Sequence, residues 1–377
     1  MRDPARLTYC IGSCGVCLRS EKREGNQMND RENWLRAIEF RSPQWIPCGV
    51  ALSPLTWHTL RENLEEVVLR HPLIFKGYRK GSTDFDDFPP FYRAGERRRD
   101  NWDCVWYGTI SGIEGVVVEH PLEDWRALDS YKPPDPKKFS ERDERDWDKI
   151  RKTVAEQKAK GMLALGEGER LFDRLYFLRG YENLMMDIAT DDPHLPKLID
   201  LLLEHELENA RLWLDAGVDC VAFHTDIGTQ NALMISPEKF RKYIKPMFKT
   251  LFTTCREAGA HVLLSSDGRL LDIVDDLIEC GVSIHDPQIR ANTLDGIEQA
   301  YKGKMCVDLD LDRQMFAFCT PEDIHSHVRE AVERLDAPEG GLMLIAAVYD
   351  AGVPLENIEA LCEAMEKYCL EGRHPDA

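Results

Sequence analysis

The chain has 377 residues and a formal charge of −19 at pH 7, from 48 Lys and Arg against 67 Asp and Glu. That balance excludes a protein built around nucleic acid or an anionic lipid surface, because phosphate binding needs a basic face. Hydrophobic residues make up 43% of the sequence, an ordinary globular share, and no run approaches the ~18 apolar residues of a membrane span.

The N-terminus carries no secretory pattern, so a cytoplasmic protein is expected. The twelve cysteines are mostly scattered singly through apolar segments and are expected to be reduced core residues. Residues 1–27 read as a disordered leader, with Met28 a second candidate start. Within it, Cys10-x3-Cys14-x2-Cys17 has the spacing that radical S-adenosylmethionine enzymes use for a four-iron cluster. Val16 stands where those enzymes carry an aromatic, and the motif precedes the first element instead of following a strand, so chance spacing is the expectation.

From Met28 onward the elements follow in order. Asn29 or Asp30 caps a helix carrying Trp34, Leu35 and Ile38. Ile46 to Val50 is a first strand between prolines. Residues 104–109 and 115–119 form a hairpin through Ser111-Gly112. Pro133, Pro134 and Pro136 mark a connector, and residues 140–160 a charged helix. After about residue 170 the pattern becomes regular. Helices 193–216, 236–258, 270–280, 293–301, 321–335 and 354–369 alternate with strands 218–223, 261–265, 282–285, 304–308 and 342–347. Ser236-Pro237 and Thr320-Pro321 are helix openings, and Gly217, Gly259 and Gly281 are stops. Helices alternating with short strands imply βαβ units and a parallel sheet. No Gly-x-Gly-x-x-Gly follows a strand, which disfavours a dinucleotide fold. The expected fold is a (β/α)8 TIM barrel over residues 28–377, one domain, with an embellished N-terminal half.

Such barrels place their chemistry at the C-terminal ends of the strands. Those ends read Phe223-His224-Thr225-Asp226, Ser265-Ser266-Asp267-Gly268, His285-Asp286, Asp308-Leu309-Asp310 and Tyr349-Asp350. Any one of these is an ordinary turn or cap. Five together, each bearing carboxylate or imidazole, point to a site that binds a metal or holds a carboxyl protonated as an acid. No lysine or arginine stands at these ends. Trp102, Trp106 and Trp125 offer an aromatic wall for a flat substrate, although burial in the core is the commoner fate of such rings. A structural hydrogen bond is the expected role of His120.

Residues 224–240 (His-Thr-Asp-Ile-Gly-Thr-Gln-Asn-Ala-Leu-Met-Ile-Ser-Pro-Glu-Lys-Phe) resemble a hallmark of the uroporphyrinogen decarboxylase superfamily. So do Ser265-Ser266-Asp267-Gly268, the stretch from Asp275 to Pro287, and Gly-Val-Pro-Leu-Glu-Asn-Ile at 352–358. Leu178-Arg179-Gly180-Tyr181-Glu182-Asn183-Leu184-Met185 and Glu119-His120-Pro121-Leu122 are similar to further family segments. The resemblance runs from about Met28 to the C-terminus and implies a (β/α)8 barrel. True decarboxylases of the family carry Arg-Gln-Ala-Gly-Arg-Tyr after the first strand to hold porphyrin carboxylates. Here Cys48-Gly49-Val50-Ala51-Leu52-Ser53-Pro54 has no arginine, so haem biosynthesis is not expected.

The other branch, the cobamide-dependent methyltransferases, is the closer likeness. It implies transfer of a methyl group from a small methylated compound, such as an aryl methyl ether, to a corrinoid carried on a partner protein. The alternatives are a decarboxylase of another small acid and a non-catalytic corrinoid- or ligand-binding barrel. An ether oxygen is a poor leaving group and needs a proton or a metal. Coenzyme M methyltransferases of the family supply zinc through a His-x-Cys pair. Those positions are Ser265 and Asp267 here, and a further family ligand position falls about at Ala347, so the thiolate cage is lost. The expected catalytic residues are Asp226, Asp267 and Tyr349, and the expected substrate-binding residues are His224, Arg179, Trp106 and His285. The expected metal set, should zinc bind at all, is His224, Asp226, Asp267 and Asp308, an oxygen-rich and therefore weak site.

Overall fold

A computed structural model describes residues 28–371. The leader and its Cys10, Cys14 and Cys17 lie outside the described residues. The chain forms two compact units, one running up to Asp87 and resuming at Asp308, the other spanning Phe88–Val307.

In the first unit, Asn29 caps the helix Asp30–Ile38 by accepting the Glu32 N–H at 2.8 Å. Strand β1 (Cys48–Leu52) follows, two residues later than its apolar run suggests. Ser53 then caps helix Pro54–Arg70, with proline in the first turn where its missing N–H costs nothing. The Thr320–Asp323 capping box opens helix Pro321–Leu335. Strand β10 (Leu342–Val348) lies parallel to β1, with Cys48 opposite Leu344 and Leu52 opposite Val348.

In the second unit, β2 (Arg97–Arg99), β3 (Val105–Tyr107) and β4 (Val116–Glu119) form an antiparallel sheet in that order. The expected hairpin is therefore present, but it belongs to a separate insert and gains a strand of three arginines. Strands β5 (Leu165–Arg170), β6 (Cys220–His224), β7 (His261–Ser265), β8 (Ile284–His285) and β9 (Cys306–Asp310) pair in parallel, one after another, with β9 running from this unit at Val307 into the first at Asp308. Helix Leu195–Ala216 ends on Gly217 at φ 83°, a left-handed stop that glycine adopts without a Cβ penalty. The expected helix 236–258 runs as three continuous pieces, with a wide turn at Phe240–Ile244 before Lys245–Glu257.

The full parallel sheet has the order β1-β10-β9-β8-β7-β6-β5. This is mixed α/β architecture of TIM-barrel type, with seven parallel strands among the described residues where eight were expected. The core is apolar, with Phe172, Phe223, Phe248 and Phe252 fully buried in the second unit. The cysteines of the described residues are thiols, most of them buried.

Candidate active site

Strand β5 is Leu-Gly-Glu-Gly-Glu-Arg, a poor strand sequence by propensity. Its glycines are required by packing. A Cβ on Gly166 would lie 2.8 Å from Trp213 Cγ, and one on Gly168 2.2 Å from Phe223 Cδ1. The strand bulges between Glu167 and Arg170. The buried Glu206 holds that bulge by accepting the Glu169 N–H at 2.9 Å. Helix Leu171–Arg179 starts at once, and the buried Thr225 hydroxyl accepts the Phe172 N–H at 2.8 Å.

Asp173 therefore sits in the first turn behind the end of β5, where sequence reasoning placed nothing. Its Oδ1 accepts the Asp226 N–H at 3.0 Å and the Tyr176 hydroxyl at 2.8 Å. Burial, and then the neighbouring Asp226 charge, push the Asp173 carboxyl up to about 7. The Asp226 Oδ1 in turn accepts the Asp267 N–H at 3.0 Å. The ends of β5, β6 and β7 are thus joined through one chain of carboxylates and amides. Asp226 and Asp267 meet as expected, but Asp267 joins through its backbone.

His224 ends β6 and is half-buried. Its ring makes no hydrogen bond among the described residues, and burial with the nearby Arg170 charge holds it down to about 3, so it is neutral at physiological pH. At the end of β7, the Ser265 hydroxyl donates to Asp286 Oδ2 at 2.5 Å and the Ser266 N–H to Asp286 Oδ1 at 3.0 Å. Gly268, at φ +89°, touches Gly228 so closely that a Cβ would stand 2.3 Å from its carbonyl carbon. Gln288 accepts the Gly268 N–H at 2.9 Å, and Asn292 donates to its carbonyl at 2.9 Å. The loops after β6, β7 and β8 are in effect one clasp.

His285 is fully buried. Its ring stacks on Tyr301, with Nδ1 3.0 Å from the Tyr301 hydroxyl, while Nε2 has no hydrogen bond among the described residues. Burial holds it down to about 3. In the other unit, Asp308 is buried on β9 and is pushed up to about 7 by burial and then by Asp310. Tyr349 follows β10, partly exposed, with the Arg313 guanidinium 5.6 Å from its ring centre.

Two expected binders do other work. Arg179 is buried, donates to Asp187 Oδ2 at 2.7 Å and to the Leu122 and Glu123 carbonyls, and lies 4.1 Å from the Trp125 ring centre. A guanidinium so engaged has little left for a substrate and is a structural joint. Trp106 is buried too, its Nε1 donating to Asp100 Oδ2 at 2.8 Å and its face covered by Arg142. His120 has the structural role expected of it, 2.8 Å from the Phe177 carbonyl.

The described residues also do not suit a zinc cage. Among them, no three or more His, Cys, Asp or Glu are grouped to hold a metal ion, so His224, Asp226, Asp267 and Asp308 form no ready set. The imidazole position of the family is Ser265, which is bound to Asp286, and Ala347 is a buried methyl in β10.

A profile of the uroporphyrinogen decarboxylase family matches residues 107–368. The chain belongs to that family. The family match takes in β5 through β10 and every strand-end residue just described. Among solved structures, a methyltransferase from Methanosarcina mazei is 15% identical, with a TM-score of 0.59 over 91% of this chain and 99% of that one. That similarity supports the fold. A D-psicose 3-epimerase (6% identical, 60% of this chain, 86% of that one) and an E. coli 3-keto-D-glucoside 4-epimerase (12%, 59% and 84%) each reach a TM-score of only 0.38. No curated protein matches the sequence. No helix among the described residues is long and apolar enough to cross a membrane.

Proposed function

We propose that this member of the uroporphyrinogen decarboxylase family is a cytoplasmic methyltransferase, built on a single (β/α)8-type domain. It moves a methyl group from a small methylated compound, such as an aryl methyl ether, to a corrinoid carried on a partner protein. The observation that carries the reading is Asp173. Both of its anchors fall on Oδ1, which leaves Oδ2 for a substrate. Its carboxyl, raised to about 7, is half protonated at neutral pH, the condition for a general acid.

In the proposed step the methyl–oxygen bond breaks and its electron pair stays on the oxygen. That oxygen takes the proton from Asp173 Oδ2, leaving a carboxylate and a free phenol or alcohol. The methyl group is accepted by the corrinoid cobalt(I) of the second protein, whose electron pair forms the new bond. Tyr176 and the Asp226 N–H then stabilise the Asp173 carboxylate until solvent returns the proton. Asp226 keeps the acid protonated beforehand through its own charge. His224, neutral and with no hydrogen bond to its ring among the described residues, is the group proposed to bind the substrate beside Asp173. Because the described residues do not suit a zinc cage, no step is routed through zinc.

A raised acid also suits a decarboxylase, which must protonate a carbanion, so one experiment covers both. The protein is incubated with a reduced corrinoid protein and a panel of methyl ethers and methylamines, and the change from cobalt(I) to methylcobalt(III) is followed by its spectrum. Methylation that is lost in Asp173→Asn supports the proposal. No methylation on any substrate, with release of carbon dioxide from a panel of small acids, makes it a decarboxylase. Neither activity leaves a ligand-binding barrel.

A further inference from the structure

Next to Asp173 lies a buried charge network that this chemistry does not explain. Arg170, the last residue of β5, stands in register with His224, the last of β6. Its guanidinium grips Glu114 with two bonds, Nη1 to Oε2 at 3.0 Å and Nη2 to Oε1 at 2.7 Å, and its Nε reaches Glu141 Oε2 at 3.3 Å. Glu114 belongs to the turn between β3 and β4, and Glu141 to the segment leading into helix Trp147–Ala159. Arg142 pairs with Glu114 at 2.7 Å, and Arg174 with Glu141 at 3.1 Å and with Glu169 at 3.0 Å. Trp106 and Phe177 lie under the Arg170 guanidinium, at 5.7 and 6.0 Å.

Burying this many charges is expensive, and a network of this kind is weak evidence for stability. Its geometry has another consequence. The acids that hold Arg170 come from the antiparallel insert and its following segment, whereas the groups that feel its charge are at the strand ends. Seven charged or titratable groups surround it: Glu114, Glu141, Glu169, Arg142 and Arg174 in the network, with Asp173 and His224 at the strand ends. Asp173 is faced also by Tyr176 and Asp226, and His224 by Glu141.

We propose that Arg170, held by Glu114 and Glu141, is a positioning residue that presents one fixed positive charge to both Asp173 and His224, making the insert a working part of the site. The charge opposes protonation of both groups. It adds to burial in lowering His224, and it limits how far burial and the Asp226 charge raise Asp173. The role as a tuner of catalysis rests on the acid assigned to Asp173 above.

The test is a titration that does not depend on activity. Aspartate carboxyl carbons and histidine rings are isotope-labelled, the Asp173 and His224 signals are assigned by Asp173→Asn and His224→Gln, and both are followed against pH by NMR in the full chain. Arg170→Gln should raise the Asp173 midpoint by about one pH unit, the low end for loss of a neighbouring charge, and raise His224 as well. Arg170→Lys should restore both midpoints. If Arg170→Gln does not fold, Arg170→Gln with Glu114→Gln removes the pair together and leaves no lone buried charge; it should shift Asp173 the same way. Unmoved midpoints in a folded variant overturn the proposal and leave Arg170 a structural joint. Shifted midpoints in a protein that methylates no corrinoid uphold it and count against the proposed reaction alone.

Discussion

At the scale of single residues the proposed chemistry rests on two aspartates with different roles. Asp173 is buried and has Asp226 beside it, so its charged form is disfavoured twice over. Asp173→Asn keeps a carbonyl for Tyr176 but has no proton to give, and turnover should fall by ~10²-fold or more, measured with the same corrinoid assay. Asp226→Asn acts through Asp173. Removing the neighbouring negative charge lowers the Asp173 value, so less of the acid is protonated at neutral pH. The basic limb of the rate profile should then move to lower pH while KM changes little. A limb that stays in place would separate Asp226 from the acid. Arg179→Ala is the contrasting case. It strips the buried Asp187 of its partner and should cost about 3 kcal/mol or more of stability, read as a lower urea midpoint. Activity per folded molecule should be unchanged.

At the scale of elements, legibility followed local chemistry. Helix Pro321–Leu335 begins and ends where Thr320-Pro321 and its apolar stripe require, because cap, proline and spacing all act within one turn. Strand β5 was illegible for the opposite reason. Leu-Gly-Glu-Gly-Glu-Arg carries no β-branched residue, and its glycines are explained only by Trp213 and Phe223, 47 and 55 positions beyond Gly166 and Gly168. Missing that strand hid its end, and with it Asp173 and Arg170. The five strand ends named from the sequence hold no lysine or arginine, but β5, which was not among them, ends in Arg170. The clasp after β6 and β7 is testable at Gly268. Its φ of +89° and its contact with Gly228 leave no room for a methyl. Gly268→Ala should cost about 2 kcal/mol or more, seen as a lower Tm, and should loosen Asp226 and Asp267 together.

At the scale of the whole molecule the buried titratable groups give stability an opposed pH dependence. His224 and His285 are held down to about 3 from an ordinary 6.5. Their contribution is complete above about 6.5 and is lost as pH falls, since the unfolded chain takes up protons first. Asp173 and Asp308 are raised to about 7 from 3.8. Theirs is complete below about 4 and is lost as pH rises through 7. Asp173→Asn should therefore be more stable than the parent protein at pH 8, by about 1–3 kcal/mol, with the gain gone near pH 4. His285→Phe should flatten the loss of stability between pH 6.5 and 4. Urea midpoints across this range check both; a constant offset at every pH would contradict the buried titrations.

The periodic half of the protein and its family were legible in the chain before folding. The helix stops at Gly217, Gly259 and Gly281 and the polar residues closing each late strand depend on neighbours a few positions apart, and the family segments are contiguous. The same local reading located Asp226, Asp267 and His224 at strand ends. Which groups hydrogen-bond to one another and which feel a neighbour's charge follows from the tertiary fold alone. Asp173 meets Asp226 across 53 positions, and Arg170 meets Glu114 across 56. Burial and a neighbouring charge set the protonation state of a carboxyl, and both come from residues remote in the chain. Burial likewise turned Arg179 and Trp106 from expected binders into parts of the frame, through partners both near and far in the chain.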